Sequence, residues 1–218
     1  MLKAVIFDLD GVITDSAVYH FQAWKQIADR MGIFFDLSYN EKLKGVSRME
    51  SLNLILDNGK GRNAYTVEEK EKLTYEKNEI YKKLITKITP KDLMPGIELL
   101  LKELKKRKIL VGLASVSKNA SFIVNQLNIK EYFDYIADAS KIKNSKPFPD
   151  IFIDCITMLG QKPQDCLGVE DAMAGIEAIH RAGMKAVGVG SADQMQEADL
   201  ILEGTSSLTI EMLENLNQ

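Results

Sequence analysis

The sequence predicts an α/β protein with a Rossmann-like doubly wound parallel sheet as its core and a small inserted all-α helical-bundle cap. Two observations predict the sheet: short apolar runs rich in β-branched residues recur along the chain, and amphipathic helical patterns alternate with them. A third predicts the insert, because residues 16–87 have helical periodicity and no convincing strand pattern. We therefore expect residues 1–15 and 88–218 to form the core domain and residues 16–87 the cap domain.

Each predicted strand is a short apolar run of the kind that parallel sheets bury on both faces. The runs cover residues 2–7, 109–114, 135–137, 166–169, 186–189 and 200–202. Helical patterns cover residues 97–106, 120–127, 150–159 and 172–182. Gly183 follows the last pattern, in the position where glycine commonly ends a helix. This alternation predicts parallel strands with helices on both faces of the sheet.

In the predicted cap, a first helical pattern runs from Val18 to Met31, and Gly32 ends it. Three capping boxes follow, in which a serine or threonine precedes a glutamate by three positions. They pair Ser38 with Glu41, Ser47 with Glu50, and Thr66 with Glu69. Each box predicts the start of a helix, and the last predicts a long charged helix that reaches about Ile85.

Composition argues against several classes of partner. The chain of 218 residues has a formal net charge of -3 and a pI of about 5.6, which argue against a nucleic-acid surface. No apolar run approaches the roughly 18 residues that cross a bilayer, so we expect no membrane partner and a cytoplasmic location. Cys155 and Cys166 lack the spacing of a zinc site. We expect both to be reduced and to fill space in the core as small buried side chains. Nothing in the sequence demands more than a monomer.

Two carboxylates stand at the end of the first predicted strand. Asp8 and Asp10 point the same way on an extended chain, so both can face the crevice beyond the strand ends, where parallel sheets bind ligands. One carboxylate can attack phosphorus to give an acyl phosphate, while the other exchanges a proton with the leaving or attacking oxygen. Gly11 lets the backbone turn sharply near a phosphate. A turn that caps the following helix explains the same residues equally well.

A second acidic pair, Glu170 and Asp171, follows the predicted strand 166–169. Mg²⁺ prefers hard oxygen ligands, commonly carboxylates together with waters and substrate phosphate. Asp8, a backbone carbonyl near Asp10 and one member of this pair could supply such ligands from adjacent strand ends. An acidic first turn on the next helix is the alternative, and it is compatible with metal binding.

Ser115 and Lys146 are candidates for holding the phosphoryl group. Ser115 ends the predicted strand 109–114, and Lys146 lies in a Ser-Lys-Pro-Phe-Pro-Asp segment. A hydroxyl and an ammonium can stabilise phosphoryl oxygens through an in-line transfer. Taken singly, each residue is more often part of an ordinary surface, so the argument depends on their position at strand ends.

Together these motifs resemble those of the haloacid-dehalogenase-like phosphotransferases. The resemblance is carried by Asp8-Leu9-Asp10-Gly11-Val12-Ile13-Thr14-Asp15, Ser115, Lys146 and Glu170-Asp171. The insert after the first motif is similar to the small helical cap of that superfamily. The resemblance implies Asp8 as nucleophile, Asp10 as general acid/base, and Ser115 and Lys146 as phosphoryl clamps. It also implies Mg²⁺ as cofactor, with Asp8, Asp10, Glu170 and Asp171 as its ligands.

Further motifs resemble the sugar-phosphate mutases of that superfamily, which interconvert β-glucose 1-phosphate and glucose 6-phosphate through glucose 1,6-bisphosphate. These motifs are His20-Phe21-Gln22-Ala23-Trp24, Leu43-Lys44-Gly45-Val46-Ser47-Arg48, Leu113-Ala114-Ser115-Val116-Ser117-Lys118-Asn119 and the stretch 168–176. The implied substrate-binding residues are His20, Trp24, Lys44, Gly45, Val46, Ser47, Arg48, Ser51, Lys77, Ser117, Lys118 and Asn119. A mutase must hold two phosphates at once, which a phosphatase has less need to do.

The chemistry of these side chains suits the implied roles. Arg48 can bind the distal phosphate through two hydrogen bonds, and Ser117 is expected as an N-cap with free amides beyond it. Trp24 offers an apolar wall for the sugar ring. His20 is either an ordinary helix residue or, as the resemblance implies, a neighbour of Asp10 that helps to align the acid/base.

Four further aromatic or histidine residues receive no role in the site. Tyr65, Tyr75 and Tyr81 are expected on a cap-helix surface, and His180 on a surface helix.

Three other functions stay open. The first alternative is a hydrolase of small sugar or hydroxy-acid phosphates that uses the same core. The second is a non-catalytic phosphosugar sensor or partner-binding module on the same fold, which the clustered carboxylates argue against. The third is chemistry on another leaving group, such as carbon–halogen or carbon–phosphorus bonds.

Overall fold

The computed structural model describes residues 1–43 and 46–218. The chain forms two compact units, which we call the core unit (Met1–Asp15 and Ile88–Gln218) and the cap unit (Ser16–Lys87). None of the helices in the described part of the chain combines the length and apolar character that crossing a bilayer requires.

The core unit contains a six-stranded sheet, parallel throughout, among the residues described. Its strands are β1 (Ala4–Phe7), β2 (Leu110–Leu113), β3 (Tyr135–Ile136), β4 (Cys166–Glu170), β5 (Lys185–Val189) and β6 (Leu200–Leu202). The spatial order is β3-β2-β1-β4-β5-β6. Strand order therefore reverses at β1, which is the strand order of doubly wound sheets. In such sheets, right-handed crossovers place the connecting helices on both faces. The predicted doubly wound α/β fold is confirmed.

The register of the three central strands brings their carboxyl ends together. Phe7, the last residue of β1, lies opposite Leu113 of β2 and opposite Val169 of β4. All four residues of β1 and all five of β4 are buried, as expected for strands covered on both faces. Polar residues that follow these positions therefore emerge at one edge of the sheet.

Four α-helices are described in the cap unit, and no strand is found among its described residues. The helices are α1 (Ala17–Met31), α2 (Leu37–Asn40), α3 (Arg48–Asp57) and α4 (Val67–Ile85). Buried apolar side chains of the cap unit, including Trp24, Ile27, Phe35, Leu52 and Ile55, form a separate hydrophobic cluster. The cap unit thus has its own core, as a domain requires.

Two of the three predicted capping boxes mark real helix starts. Thr66 and Glu69 exchange both side-chain-to-backbone bonds at the start of α4, at 2.8 and 3.2 Å. The Ser47 hydroxyl accepts a bond from the Glu50 amide at the start of α3. The box at Ser38 is wrong, because α2 begins at Leu37 and Ser38 lies inside the helix. There the Asp36 carboxylate accepts the amide of Tyr39 at 2.7 Å and caps the helix instead.

The core unit adds five helices among its described residues, close to the predicted ranges. They are α5 (Ile97–Lys106), α6 (Ala120–Gln126), α7 (Asp150–Met158), α8 (Met173–Arg181) and α9 (Ile210–Leu216). The last of these helices, α9, is not among the patterns predicted from the sequence. Cys155 and Cys166 are buried and not bonded to each other, as expected, and burial raises the pKa of both thiols to about 12.

Candidate active site

Asp8 follows the last residue of β1 and is held by the sheet and by its own loop. Its amide donates to the carbonyl of Val169 at 2.9 Å, which continues the pairing with β4. Its carboxylate Oδ2 accepts the amide of Asp10 at 2.9 Å. The side chain is buried. These bonds fix the orientation of the Asp8 carboxylate.

Lys146 lies at the centre of the acidic site. Its ammonium donates to Asp8 Oδ1 at 2.5 Å and also to Glu170 Oε1. The side chain is fully buried. Burial alone would lower the pKa of Lys146, but the carboxylates of Asp8 and Glu170 outweigh it and raise the pKa above its ordinary value. The two carboxylates therefore favour the charged form of Lys146 at this site.

Glu170 ends β4 and is equally buried. Its Oε2 accepts the amides of Asp171 and Ala172 at 2.8 and 2.9 Å, while Oε1 accepts Lys146. Burial raises the pKa of Glu170, and the Lys146 ammonium opposes that rise. Gly175 in α8 makes room for this carboxyl group, because a Cβ there would overlap it.

The donor set at this edge of the sheet fits a hard divalent cation. Asp8, Glu170 and Asp171 each offer a carboxylate oxygen, and these oxygens lie within 4.8 Å of one another. Gly11, with φ of 76°, allows the loop after β1 to approach Asp171 closely, because a Cβ at Gly11 would overlap the Asp171 carboxyl group. Clustered carboxylate oxygens are the ligands that Mg²⁺ prefers. The predicted use of Asp10 rests on its backbone carbonyl and stays a prediction.

Ser115 lies two residues after the end of β2 and is buried. Its hydroxyl oxygen accepts the amide of Ser117 at 3.2 Å, and the Ser117 hydroxyl accepts the amide of Asn119 at 3.3 Å. The expectation that Ser117 is an N-cap is wrong, since Asn119 holds that position and α6 begins at Ala120. The side chain of Ser117 instead stabilises the turn before the helix. Lys118, in the same turn, is exposed.

The cap unit holds a second cluster, formed by cationic and aromatic side chains. Lys77 is buried, and its ammonium lies 2.6 Å from His20 Nδ1. The same ammonium lies 5.1 Å from the Trp24 ring centroid and 4.7 Å from that of Tyr81. Burial lowers the pKa of His20 well below its usual range, and the charges of Lys77 and Arg48 lower it further. His20 is therefore neutral at pH 7 and serves as a hydrogen-bond partner for Lys77.

Tyr81 was wrongly expected on the surface. Its side chain is 1% exposed, and its ring centroid lies 4.0 Å from that of His20. Lys77 and Tyr81 are four residues apart on α4 and therefore share a face. That spacing was the available signal, but a lysine in a charged helix is usually solvated. By contrast, Tyr75 is exposed as expected.

The start of α3 carries further predicted residues. Ser47 caps the helix and Arg48 is its first residue. Burial lowers the pKa of Arg48, and the nearby Tyr81 and Glu79 oppose that effect. The buried Ser51 hydroxyl donates to the Ser47 carbonyl at 3.0 Å, and Val46 precedes the cap as a half-buried residue. The predicted residues Lys44 and Gly45 lie outside the described part of the chain.

Comparison with known proteins agrees with these observations. A profile of the haloacid dehalogenase-like hydrolase family matches residues 2–183. The chain is 52% identical to a β-phosphoglucomutase from Bacillus subtilis, over 97% of this chain and 94% of that protein. It is 30% identical to a fructose-1-phosphate phosphatase from Escherichia coli, over 85% of this chain and 95% of that one. The crystal structure of a Clostridium difficile β-phosphoglucomutase superposes with a TM-score of 0.97 at 47% identity, covering 100% of this chain and 97% of that one.

Proposed function

The chain belongs to the haloacid dehalogenase-like hydrolase family, and from this premise we propose that it is a phosphoryl-transfer isomerase of sugar phosphates. Its substrates are β-D-glucose 1-phosphate and D-glucose 6-phosphate, with glucose 1,6-bisphosphate as intermediate. The observation that carries this proposal is the 52% identity to a β-phosphoglucomutase over 97% of the chain. That similarity extends over the cap unit as well as the core unit, and substrate-specific residues are expected in the cap.

Asp8 is the nucleophile and the carrier of the phosphoryl group. A carboxylate that attacks phosphorus forms an acyl phosphate, which divides one difficult displacement into two. The hydrogen bonds from Lys146 and from the Asp10 amide hold the Asp8 carboxylate in one orientation. Such positioning increases the reaction rate, because the nucleophile is already held in a defined orientation before the reaction begins.

Asp10 moves the proton in each half-reaction. Phosphorylated Asp8 first transfers its phosphoryl group to the C6 hydroxyl of β-glucose 1-phosphate, and Asp10 accepts the hydroxyl proton. The resulting bisphosphate turns end for end. Asp8 then attacks the phosphorus at C1, and Asp10 returns the proton to the departing C1 oxygen. Glucose 6-phosphate leaves and Asp8 is phosphorylated again, so that no phosphate is consumed.

Ser115 and Lys146 stabilise the phosphoryl group during transfer. The Ser115 oxygen already accepts the Ser117 amide, which leaves its own O–H to donate to a phosphoryl oxygen. Lys146 supplies a fixed, buried positive charge beside the nucleophile. Both groups stabilise the negative charge of the phosphoryl oxygens in the transition state. Because they are already held in place, they need not move as the reaction proceeds.

Asp8, Glu170, Asp171 and the backbone carbonyl of Asp10 would hold Mg²⁺. When bound, this ion supplies charge stabilisation for the phosphoryl oxygens and offsets the repulsion between an anionic substrate and the acidic side chains. The clustered oxygens of Asp8, Glu170 and Asp171 support this assignment. Lys146 already offsets part of the negative charge, so the site tolerates a bound phosphate better than three carboxylates alone would.

Binding of the second phosphate and of the sugar is assigned to the cap residues and to the turn after β2. Arg48 binds the distal phosphate, because a guanidinium forms paired hydrogen bonds with phosphate oxygens. The rings of Trp24 and His20 lie beside the Lys77 ammonium. We assign to these three residues contacts with the sugar. The remaining residues assigned to sugar or phosphate contacts are Lys44, Gly45, Val46, Ser47, Ser51, Ser117, Lys118 and Asn119.

A sugar-phosphate hydrolase is the second candidate. It is favoured by the 30% identity to a fructose-1-phosphate phosphatase, since a hydrolase would use the same nucleophile and clamps. The lower identity and the shorter matched length make this support weaker than that for the mutase. In the hydrolase, water would take the place of the second sugar hydroxyl.

The two candidates differ in what they release. We would incubate the protein with β-glucose 1-phosphate, Mg²⁺ and a trace of glucose 1,6-bisphosphate, with the α anomer as control. The mutase produces glucose 6-phosphate without matching inorganic phosphate. Stoichiometric phosphate release without glucose 6-phosphate would contradict the mutase and favour the hydrolase.

A further inference from the structure

The segment that carries Lys146 has turns and bends but no helix or strand between β3 and α7. It nevertheless delivers a buried ammonium to both Asp8 and Glu170. Lysine has a long, flexible side chain, so the position of its charge depends on where the backbone is held. Contacts that fix this backbone therefore bear on catalysis.

One set of contacts closes the segment on itself. Asp150 Oδ1, at the start of α7, accepts both the backbone amide and the side-chain amide of Asn144, at 3.2 and 3.0 Å. The Phe148 amide donates to the carbonyl of Ser145 at 3.1 Å. These bonds fix the shape of the loop, but they do not tie it to the strand that carries Glu170.

Arg181 connects the loop to α8 instead. It is the last residue of α8, the helix that follows Glu170 and Asp171 in the chain. Its Nη1 donates to the carbonyl of Pro147, the residue directly after Lys146, at 3.3 Å. Its guanidinium carbon lies 5.9 Å from the ring centroid of Phe148, within the range of a cation–π contact.

The guanidinium of Arg181 is itself oriented. Its Nη2 forms an ion pair with Glu177, one turn earlier in α8. An exposed ion pair of this kind contributes little to stability, and the side chain of Arg181 is 46% exposed. A residue with little expected effect on stability, yet bonded to the backbone next to the central lysine, is a candidate for a role in the reaction.

We propose that Arg181 is a positioning residue, which holds the backbone at Pro147 so that the Lys146 ammonium stays between Asp8 and Glu170. This inference deepens the proposed function and rests on it for the choice of sugar substrate. Arg181 touches no reacting atom in this scheme, and its effect passes through Lys146.

The test compares Arg181→Met and Arg181→Lys with wild type. We expect Arg181→Met to lower kcat for β-glucose 1-phosphate by about tenfold, equivalent to about 1.4 kcal/mol, with KM nearly unchanged. Arg181→Lys keeps a donor for the Pro147 carbonyl and should recover part of the loss. The matched control is Arg107→Met, which removes another helix-end arginine and its ion pairs with Glu211 and Glu214. That variant should keep the wild-type kcat.

A double-mutant cycle separates positioning from a general structural effect. Rates are measured at high enzyme concentration for Lys146→Met with and without Arg181→Met. If Arg181 acts through Lys146, its replacement has no further effect once Lys146 is absent. A full additional loss in the Lys146→Met background would overturn the proposal, and so would a wild-type kcat for Arg181→Met.

The proposed mutase function and the proposed role of Arg181 can be tested separately. Hydrolysis of p-nitrophenyl phosphate is measured in parallel, because it requires Asp8 and Lys146 but no sugar specificity. A wild-type protein that hydrolyses this ester without isomerising the sugar phosphate would contradict the mutase proposal. The comparison of Arg181 variants would still be decided in the hydrolysis assay, by the same expected loss and the same cycle.

Discussion

Lys146 Nζ lies 2.5 Å from Asp8 Oδ1, and the same ammonium is bonded to Glu170. One buried cation thus joins the predicted nucleophile to a predicted metal ligand, although the three residues come from separate parts of the chain. Buried charges persist when their partners compensate for lost hydration. The arrangement therefore gives Lys146 a structural role in keeping two buried carboxylates stable, beside the role in phosphoryl transfer that we propose for it.

Replacing Lys146 by Met should reveal both functions. Two buried carboxylates lose their counter-ion, and removal of one partner from a buried ion pair typically costs about 3–5 kcal/mol. We expect a lower free energy of unfolding in urea and a fall in kcat of at least about a hundredfold, on the scale measured for lost charge stabilisation in transition states. Lys102→Met, which removes an exposed lysine paired with Glu98, is the control and should change neither quantity appreciably. A stable, active Lys146→Met protein would contradict this assignment.

Replacing Gly175 by Ala should weaken the acidic site. In most exposed helices this change is stabilising by roughly 1 kcal/mol, but here the added Cβ would overlap the Glu170 carboxyl group. We expect a lower melting temperature and a higher Mg²⁺ concentration for half-maximal activity. Gly204→Ala is the control, because a Cβ at Gly204 meets nothing within 4 Å. Equal Mg²⁺ requirements for the two variants would count against the role of Glu170.

Replacing Arg48 by Ala should separate the two candidate reactions. Without the guanidinium, the distal phosphate loses its paired hydrogen bonds, so mutase turnover falls strongly while slow hydrolysis of a monophosphate continues. Arg30→Ala removes another cap arginine, which pairs with Glu76, and should leave mutase turnover intact. The measurement is glucose 6-phosphate formation beside inorganic phosphate release. Unchanged mutase kinetics in Arg48→Ala would remove the distal-phosphate role.

The pH dependence of stability should report on His20. Its pKa in the folded protein lies well below 6.5, the value for an unperturbed histidine. Between the folded pKa and about pH 6.5, the unfolded chain binds a proton that the folded protein does not, so stability falls as pH decreases through that window. The fall in stability at low pH should be smaller in His20→Asn, because this variant lacks the histidine. His180→Asn keeps His20 and should show the same fall as wild type. Urea unfolding from pH 7.5 to 5 measures the difference, and identical slopes for wild type and His20→Asn would contradict the buried, neutral His20.

The parts of the fold that depend on local pattern could be predicted from the sequence. Strand β1 is a continuous apolar run that Asp8 directly follows, and α4 begins at a capping box formed by Thr66 and Glu69. The strand-end rule for parallel sheets then places Asp8 and Glu170 at one edge, and the structure brings their oxygens together.

The contacts that depend on tertiary packing could not be predicted in the same way. Tyr81 lies in a helix rich in charged residues, so only its packing against His20 reveals that it is buried. The bond from Arg181 to the Pro147 carbonyl joins positions 34 residues apart and leaves no periodic signal. Ser38 matched a capping pattern, but the competing Asp36 carboxylate lies two residues earlier and caps the helix.

The central claim is that Asp8 carries the phosphoryl group between two positions of a sugar. The most direct measurement uses glucose 1,6-bisphosphate labelled in its phosphates, mixed with the protein and Mg²⁺ and then chased with unlabelled β-glucose 1-phosphate. We predict that label appears on Asp8 and returns to the sugar bisphosphate faster than it appears as inorganic phosphate, and that Asp8→Asn takes up none. Label that never reaches Asp8, or that leaves it only as inorganic phosphate, would contradict the account.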